Sequence, residues 1–275
     1  MRFADLHLHT VFSDGTLTPA QLISESHKCG LSAVAVVDHD TVDGISSALT
    51  FAQGEDIEVI PGIELTAEYQ GLEIHILGYL IDFKQSALLE RLMILKKNRV
   101  ERIYKMVDKL KAMKVELKPE MIFDLAKYGT VGRLHVARAM LKEGLVNSVA
   151  EAFRKYIGDN CEGYVLGFRL SPQEAIALIK QARGIPVLGH PYTIRDDALV
   201  PEIIGYGIMG LEVHYPEHTQ AMVNYYLGMA QKYNLLVTGG SDYHGDAKPQ
   251  VKLGSMKIPY ELVEKLKNAQ RELKR

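Results

Sequence analysis

The feature that most constrains the fold of this chain is a repeated alternation of short apolar segments with helical segments. Residues 31–37 form a short apolar run rich in valine between turn signals, which is typical of a buried strand. Two of the helical segments begin with capping signals, Thr18-Pro19-Ala20-Gln21 and Ser171-Pro172-Gln173-Glu174. Repeated strand–helix units predict an α/β fold with a parallel sheet that is closed, or nearly closed, as a barrel.

One part of the predicted sheet departs from this alternation. A strand over residues 57–60 is followed by two further extended segments, 65–69 and 72–79, on either side of Gln70-Gly71. Two strands separated by such a turn signal predict an antiparallel hairpin.

The middle of the chain, residues 85–164, does not follow the alternation of strands and helices. It contains long charged helical patterns over 88–114, 118–127, 133–143 and 148–156, with no convincing strand among them. We therefore predict a barrel formed by residues 1–84 and 165–275, interrupted by a helical subdomain at 85–164 that covers the substrate.

Composition limits the possible function. Of 275 residues, 47% are apolar, which is enough for a substantial core, and 32 basic residues against 34 acidic ones leave a net charge of -2. This balance argues against a broad surface for duplex DNA. Cys29 and Cys161 lack metal-type spacing, and no segment has the apolar length of a membrane span. We expect a cytoplasmic protein without membrane contact, and its oligomeric state stays open.

Histidines and carboxylates follow the predicted strands. In an α/β barrel, catalytic groups project from the carboxyl ends of the strands, so these side chains are expected to meet on one rim. His7 and His9 lie two residues apart on a strand and therefore point to the same face. The others that follow strands or lie in the hairpin are His39, Glu64, His75, His190, Glu212, His214, Asp242 and His244. Imidazole and carboxylate are ligands of divalent cations, and the pattern indicates a metal-dependent hydrolase.

Seven segments together resemble the polymerase-and-histidinol-phosphatase (PHP) superfamily. They are Asp5-x-His7-x-His9, Ser13-Asp14-Gly15, Asp38-His39-Asp40, Pro61-Gly62-Ile63-Glu64, His75, Gly189-His190-Pro191 and Ser241-Asp242-x-His244. The resemblance covers residues 1–80 and 165–250. It implies a distorted (β/α)7 barrel that carries two or three metal ions and hydrolyses phosphoesters.

The resemblance also implies three sets of metal ligands. The first set is His7, His9, Glu64 and Asp242; the second is Asp14, His39 and His244; the third is Glu64, His75 and His190. Glu64 would bridge two metals. The cofactors would be two to three divalent ions, with Mn²⁺, Fe²⁺ and Zn²⁺ all suited to this mixture of ligands.

A segment of the predicted insertion resembles one particular branch of the superfamily. Residues 131–137 are similar to the Gly-Arg-Pro-His segment of a small bacterial branch that includes nucleoside 3',5'-bisphosphate phosphatases and short-RNA 5'–3' exonucleases. Leu134 and Glu162 stand where that branch has proline. Arg133 and His135 are expected to contact substrate and to take part in catalysis, because an arginine fork can hold a phosphate in a bidentate contact.

The strand-end residues Glu212 and His214 are the other expected substrate contacts, with a structural role equally open. The predicted activity is metal-dependent hydrolysis of a phosphate ester of a nucleotide or of a short RNA end, in which a metal-activated hydroxide attacks phosphorus. The alternatives are histidinol-phosphate phosphatase, an amidohydrolase-like activity and a non-catalytic regulatory or binding module stabilised by metal.

Overall fold

A computed structural model describes residues 2–167 and 169–273, and eight strands of one mixed sheet form its centre. The strands are β1 Phe3–Leu8, β2 Ala33–Val36, β3 Glu58–Tyr69, β4 Leu72–Tyr79, β5 Ile185–Leu188, β6 Gly210–His214, β7 Leu236–Gly239 and β8 Ile258–Pro259. Their order in the sheet is β7-β6-β5-β4-β3-β2-β1-β8. Helices surround this sheet, so the predicted α/β barrel is confirmed.

The sheet is parallel except at two strands. β4 runs antiparallel to both β3 and β5, and the two-residue β8 pairs antiparallel with β1. Residues that follow β7 close the barrel against β1: His9 N donates to Tyr243 O at 3.1 Å, and Tyr243 N donates to His7 O at 3.3 Å. The loop after β7 is thereby held beside the end of β1.

The predicted hairpin is present, but its first strand is longer than expected. β3 is continuous over Glu58–Tyr69, whereas two separate segments, 57–60 and 65–69, were predicted. Pro61 pairs with Val36 in the sheet, and a Cβ at position 62 would lie 2.7 Å from a Val37 methyl group. Glycine thus lets the two strands approach closely without interrupting β3.

Ten α-helices occur in the described ranges. They are α1 Pro19–Lys28, α2 Ile45–Ala52, α3 Ser86–Ala112, α4 Pro119–Leu125, α5 Arg133–Lys142, α6 Val149–Ala152, α7 Pro172–Gln181, α8 Leu199–Gly205, α9 Gln220–Lys232 and α10 Glu261–Leu273. Both predicted capping boxes, Thr18 with Gln21 and Ser171 with Glu174, begin their helices. Across residues 2–167 and 169–273, no helix combines the length and the apolar character needed to cross a membrane.

The helices α3 to α6 have a hydrophobic core of their own. Met106 and Leu110 of α3 pack there against residues of α4 and α5. The first half of α3 instead contributes Leu88, Leu92 and Leu95 to the core of the barrel. We propose that residues 85–164 are an insertion whose first helix is shared between the two cores.

A short contact joins the helical region to the loops after β1 and β2. Thr130 N donates to Phe12 O at 2.9 Å, and the Thr130 hydroxyl donates to His39 O at 2.8 Å. Gly129 lies so near this loop that an added Cβ would be 1.6 Å from the Phe12 carbonyl oxygen. A glycine is required here for the helical region to reach the barrel rim.

Replacing Gly129 with alanine should therefore disturb this contact. We expect Gly129→Ala to lower the free energy of unfolding by at least about 2 kcal/mol, because backbone must move to admit the methyl group. Gly228→Ala is the matched control: its added Cβ meets nothing within 4 Å in α9, and alanine should raise stability by about 0.5–1 kcal/mol. Urea unfolding of both variants gives the comparison, and equal stabilities would contradict it.

Candidate metal centre

The Glu64 carboxylate lies at the centre of the site. It sits in the middle of β3, is completely buried, and has imidazole nitrogens around both of its oxygens. The nitrogen-to-oxygen distances are 2.6 Å to His75, 3.1 Å to His190, 3.1 Å to His39, 3.2 Å to His9 and 3.3 Å to His7. Histidines from or beside β1, β2, β4 and β5 therefore meet on one carboxylate.

Two more carboxylates extend the cluster. Asp242 Oδ1 lies 3.2 Å from His9 Nε2 and 3.5 Å from His7 Nε2. Asp14 Oδ1 lies 3.1 Å from His244 Nε2. Both aspartates come from loops that follow strands, β7 and β1 respectively, as the rule for barrel rims requires.

All nine residues predicted as metal ligands are brought together. Three groups have potential ligand atoms within 4.8 Å of one another: His7, His9, Glu64 and Asp242; His9, Asp14, His39 and His244; and His39, Glu64 and His75. The first group equals the first predicted set, and the second adds His9 to the predicted set. In the third group His39 takes the predicted place of His190, whose Nε2 lies 3.3 Å from His75 Nδ1. The individual ligand roles stay predictions.

The chemistry of the cluster fits divalent cations. Burial would raise the pKa of Glu64, but His39, His75 and His7 lower it well below its usual value. Despite the opposing effect of burial, carboxylates raise the pKa of His9 to about 9 and that of His75 to about 10. The ionised carboxylates thus demand positive charge, from protons or from metal.

Unpartnered atoms support the same conclusion. Among the described residues, the buried atoms His9 Nε2, His39 Nδ1 and Asp14 Oδ1 make no hydrogen bond of acceptable geometry, although each lies 3.1 or 3.2 Å from an oxygen or nitrogen atom of the cluster. A buried polar atom without a partner is costly, and a cation between nitrogen and oxygen ligands would satisfy all three. Divalent metal binding follows from this arrangement.

A second layer of carboxylates orients the ligands. Asp38 accepts hydrogen bonds from Thr10 N at 2.7 Å and from the Ser13 hydroxyl at 2.6 Å, which fixes the loop that carries Asp14. Asp5 accepts from Ser241 N at 2.9 Å beside Asp242. Carboxylates in such positions fix the orientation of metal ligands.

Glu212 was expected either to contact substrate or to have a structural role, and its position favours the structural role. It is completely buried, and its two oxygens lie 2.8 Å from His7 Nδ1 and 2.7 Å from the backbone N–H of His190. A carboxylate with both oxygens occupied by ligand-bearing segments orients those ligands. His214, also expected to contact substrate, is half-buried at the end of β6 and packs against Gly239.

The structure gives Arg133 and His135 different surroundings. Arg133 lines a cavity of about 620 Å³ together with His39, His75 and His244, and it pairs with Glu73 at 3.0 Å and Asp159 at 2.6 Å. His135 is 1% exposed, and its Nδ1 accepts from Gly132 N at 3.1 Å at the start of α5.

His135 therefore caps a helix. Burial lowers its pKa to about 4, which keeps the imidazole neutral at pH 7. This placement does not support the expected catalytic contact.

Several residues of the site were missed from the sequence. Glu73 Oε1 lies 3.1 Å from His75 Nε2, and its other oxygen pairs with Arg133 and Arg169. Glu73 lies two residues before His75 on β4, so the alternation of strand faces was a usable signal.

The partners of Asp242 were also missed. The Tyr215 hydroxyl and Lys248 Nζ each donate to Asp242 Oδ2 at 2.7 Å. They come from separate loops, and no local pattern marked them.

Comparison with known proteins agrees with this geometry. The PHP domain profile matches residues 5–149, just over half of the chain. The chain belongs to the PHP family. The predicted family is thereby confirmed.

Relatives of this PHP protein cover nearly its full length. A 5'-3' exoribonuclease of Haemophilus influenzae is 29% identical over 87% of this chain and 89% of its own. A 3',5'-nucleoside bisphosphate phosphatase of Chromobacterium violaceum is 29% identical over 87% of this chain and 86% of its own. A crystal structure from Bifidobacterium adolescentis, described as that of a metal-dependent phosphoesterase, superposes with a TM-score of 0.89 at 30% identity, covering 96% and 94% of the two chains.

These comparisons confirm the predicted class of activity: the chain is a metal-dependent phosphoesterase of the PHP family. A second structure, from Chromobacterium violaceum, is named an amidohydrolase and contains sulfate without metal. It has a TM-score of 0.86 at 26% identity over 97% of this chain and 96% of its own.

The role of Glu212 can be tested through metal affinity. Glu212→Gln places an amide N–H toward either His7 or the His190 backbone, both of which need an acceptor. We expect the affinity of the PHP centre for manganese to fall about 10- to 100-fold in a chelator competition. The exposed Glu217→Gln is the matched control and should bind like wild type. An unchanged affinity in Glu212→Gln would remove its proposed role.

The buried neutral His135 makes a prediction about pH. Its pKa is about 4 in the folded chain and about 6.5 when unfolded, so the unfolded state binds the proton first as pH falls. The neutral His135 therefore contributes to the free energy of unfolding fully above pH 6.5. This contribution, on the order of 3 kcal/mol, is lost as the pH falls toward 4. His135→Asn keeps an acceptor for Gly132 N but does not titrate. The difference in unfolding free energy between wild type and this variant should therefore shift in favour of the variant at low pH, and a constant difference from pH 7 to 4.5 would contradict the burial effect.

Proposed function

We propose that the chain hydrolyses a phosphate ester of a nucleotide or of a short RNA end at a centre of two or three divalent metals. The observation that carries this proposal is the shared cavity. Its barrel side presents Asp14, His39, His75 and His244, and its helical side presents arginines, so that a phosphate can contact both.

The nine converging residues supply the metal ligands in this proposal. Divalent cations held by these residues would lower the pKa of a bound water and would draw charge from phosphoryl oxygens. Manganese, iron and zinc all suit this mixture of imidazole and carboxylate. Glu64 supports binding at more than one position, because different histidines surround its two oxygens.

Residues around the proposed ligands fix which of their atoms face the centre of the site. Glu212 holds His7 through Nδ1, which leaves His7 Nε2 facing Glu64 and Asp242. Tyr215 and Lys248 hold the outer oxygen of Asp242 and leave its inner oxygen toward His9. Each ligand is thereby pre-oriented before any substrate enters.

The proposed class of substrate is supported by the size and lining of the cavity and by the names of the relatives. A cavity of about 620 Å³ has room for a nucleotide, and Arg133 on its wall offers a planar guanidinium that suits phosphate oxygens. The relatives named above act on nucleoside bisphosphates and on RNA, according to their names. The complete set of nine ligands favours an enzyme over the alternative of a non-catalytic module.

A panel of substrates tests the proposal. Metal-stripped protein refilled with manganese should hydrolyse at least one of AMP, adenosine 3',5'-bisphosphate and short 5'-phosphorylated RNA, with histidinol phosphate as the competing candidate. We expect His9→Ala and Asp242→Ala to lower kcat/KM by at least about 10²-fold, because each removes a ligand beside Glu64.

The control for these variants is His27→Ala, whose imidazole is exposed and paired only with Glu55 among described carboxylates. It should retain wild-type kcat/KM. Full activity in both ligand variants would overturn the assignment of the metal centre, and turnover of histidinol phosphate alone would overturn the nucleotide class.

A further inference from the structure

One lysine lies on the barrel side of the cavity, next to the proposed metal ligands. Lys248 Nζ donates to Asp242 Oδ2 at 2.7 Å, and its side chain, which is 32% exposed, lines the cavity of about 620 Å³. The other oxygen of Asp242 lies 3.2 Å from His9 Nε2. One carboxylate therefore separates this ammonium group from the atoms that would hold a metal.

Lys248 has hydrogen-bonding capacity that the protein does not use. An ammonium group has three N–H donors, and it is charged at neutral pH. Among the described residues, Asp242 is the only hydrogen-bond acceptor of Lys248 Nζ. Charged donors that the protein leaves free at the edge of a cavity suit the oxygens of an anionic ligand, and lysine is a frequent phosphate-binding residue.

Asp242 does not depend on Lys248 alone for its position. The Tyr215 hydroxyl donates to the same Oδ2 atom, also at 2.7 Å. Tyr215 is buried, its ring packs against His190 and Tyr192, and unlike Lys248 it does not line the cavity. Asp242 therefore keeps a fixed neutral donor when Lys248 turns part of its hydrogen bonding toward a ligand.

The backbone beside Lys248 is fixed to the loop that carries Asp14. Asp246 N donates to the Thr16 hydroxyl at 2.9 Å, and Lys248 N donates to Gly245 O at 3.1 Å. Gly245 has a positive φ of 64°, and an added Cβ would lie 2.0 Å from Thr16 Oγ1. A glycine is needed for this close approach, and the approach holds the base of the Lys248 side chain at the rim of the site.

We propose that Lys248 is a catalytic residue that donates a hydrogen bond to an oxygen of the phosphoryl group under attack, while Tyr215 keeps Asp242 in place. Lys248 keeps its proton throughout, so its contribution is electrostatic. It stabilises the negative charge that builds up on the phosphoryl oxygens in the transition state. This inference rests on the metal centre of the proposed function, but it does not depend on the nucleotide class of the substrate.

Binding of inorganic phosphate tests this contact without turnover. At saturating manganese, phosphate should raise the Tm of the full-length wild type. We expect a smaller shift in Lys248→Met, which keeps the aliphatic stem but has no charge and no donor, and a partly restored shift in Lys248→Arg. Manganese saturation is established for each variant by chelator competition, so that a change in metal affinity does not enter the comparison. Lys248→Gln gives the same test if the methionine variant does not fold.

Tyr215→Phe separates contact with phosphate from positioning of Asp242. It removes the other donor to the same Oδ2 atom, but from a side chain outside the cavity, so it should retain the phosphate-dependent Tm shift of the wild type. If Lys248 only positioned Asp242, then Lys248→Met and Tyr215→Phe would show equal shifts. The matched control is Lys252→Met, which removes an exposed lysine four residues further along the chain and should behave like wild type.

Kinetics at saturating manganese give a second readout. The probe is AMP, or p-nitrophenyl phosphate if AMP is not hydrolysed. We expect Lys248→Met to lower kcat/KM by about 10²- to 10³-fold, the range for loss of one preorganised donor to a developing charge. Most of the loss should appear in kcat, because the contact strengthens as charge accumulates on the phosphoryl oxygens.

The outcomes separate this inference from the proposed function. An unchanged phosphate shift in Lys248→Met, or equal shifts in Lys248→Met and Tyr215→Phe, overturns the role of Lys248 and leaves the metal centre intact. Wild-type kcat/KM in Lys248→Met does the same. If the wild type hydrolyses no nucleotide of the panel above, the nucleotide class is overturned, and the phosphate-dependent Tm still decides the role of Lys248. A wild type whose Tm does not respond to phosphate overturns that role as well.

Discussion

The structure depends on the burial of one carboxylate, Glu64, among five imidazoles. An ionised carboxylate in the interior is costly unless charge and hydrogen bonds surround it, so the elements that meet here must be held accurately. Acidic residues that contact the histidines and their loops hold these elements in position. Glu212 fixes His7 and the backbone of His190, and Asp38 fixes the loop that carries Asp14.

Most of the barrel and its metal ligands could be predicted from the sequence because both follow local rules. Strand ends carry the ligands, and His7 and His9 share a face because strands alternate. The continuous β3 was missed, since Pro61-Gly62 resembles a break until the close approach of Val37 is known. Tyr215 and Lys248 were missed for a different reason. They meet at Asp242 only because separate loops pack together, and no spacing in the sequence records that contact.

The expected roles of Glu212 and His135 show how burial changes an interpretation. Each was placed near the rim, where an acid or an imidazole suggests contact with substrate. In the structure, one carboxylate is enclosed by His7 and the His190 backbone, and the imidazole caps α5. The position of these residues in the sequence correctly predicted that they lie near the site. The orientation of each side chain could not be predicted, because it depends on how the folded chain packs around it.

Closure of the barrel by Tyr243 against β1 has a consequence for folding. Asp242 and His244 flank the tyrosine that pairs with His7 and His9, so joining the two ends of the sheet and completing the ligand set are one event. This contact spans most of the chain, and such long-range contacts form late because their loop-closure entropy must be offset first. A metal bound by residues of β1 and of the loop after β7 would hold these two parts of the barrel together. Metal binding would therefore stabilise the closed barrel.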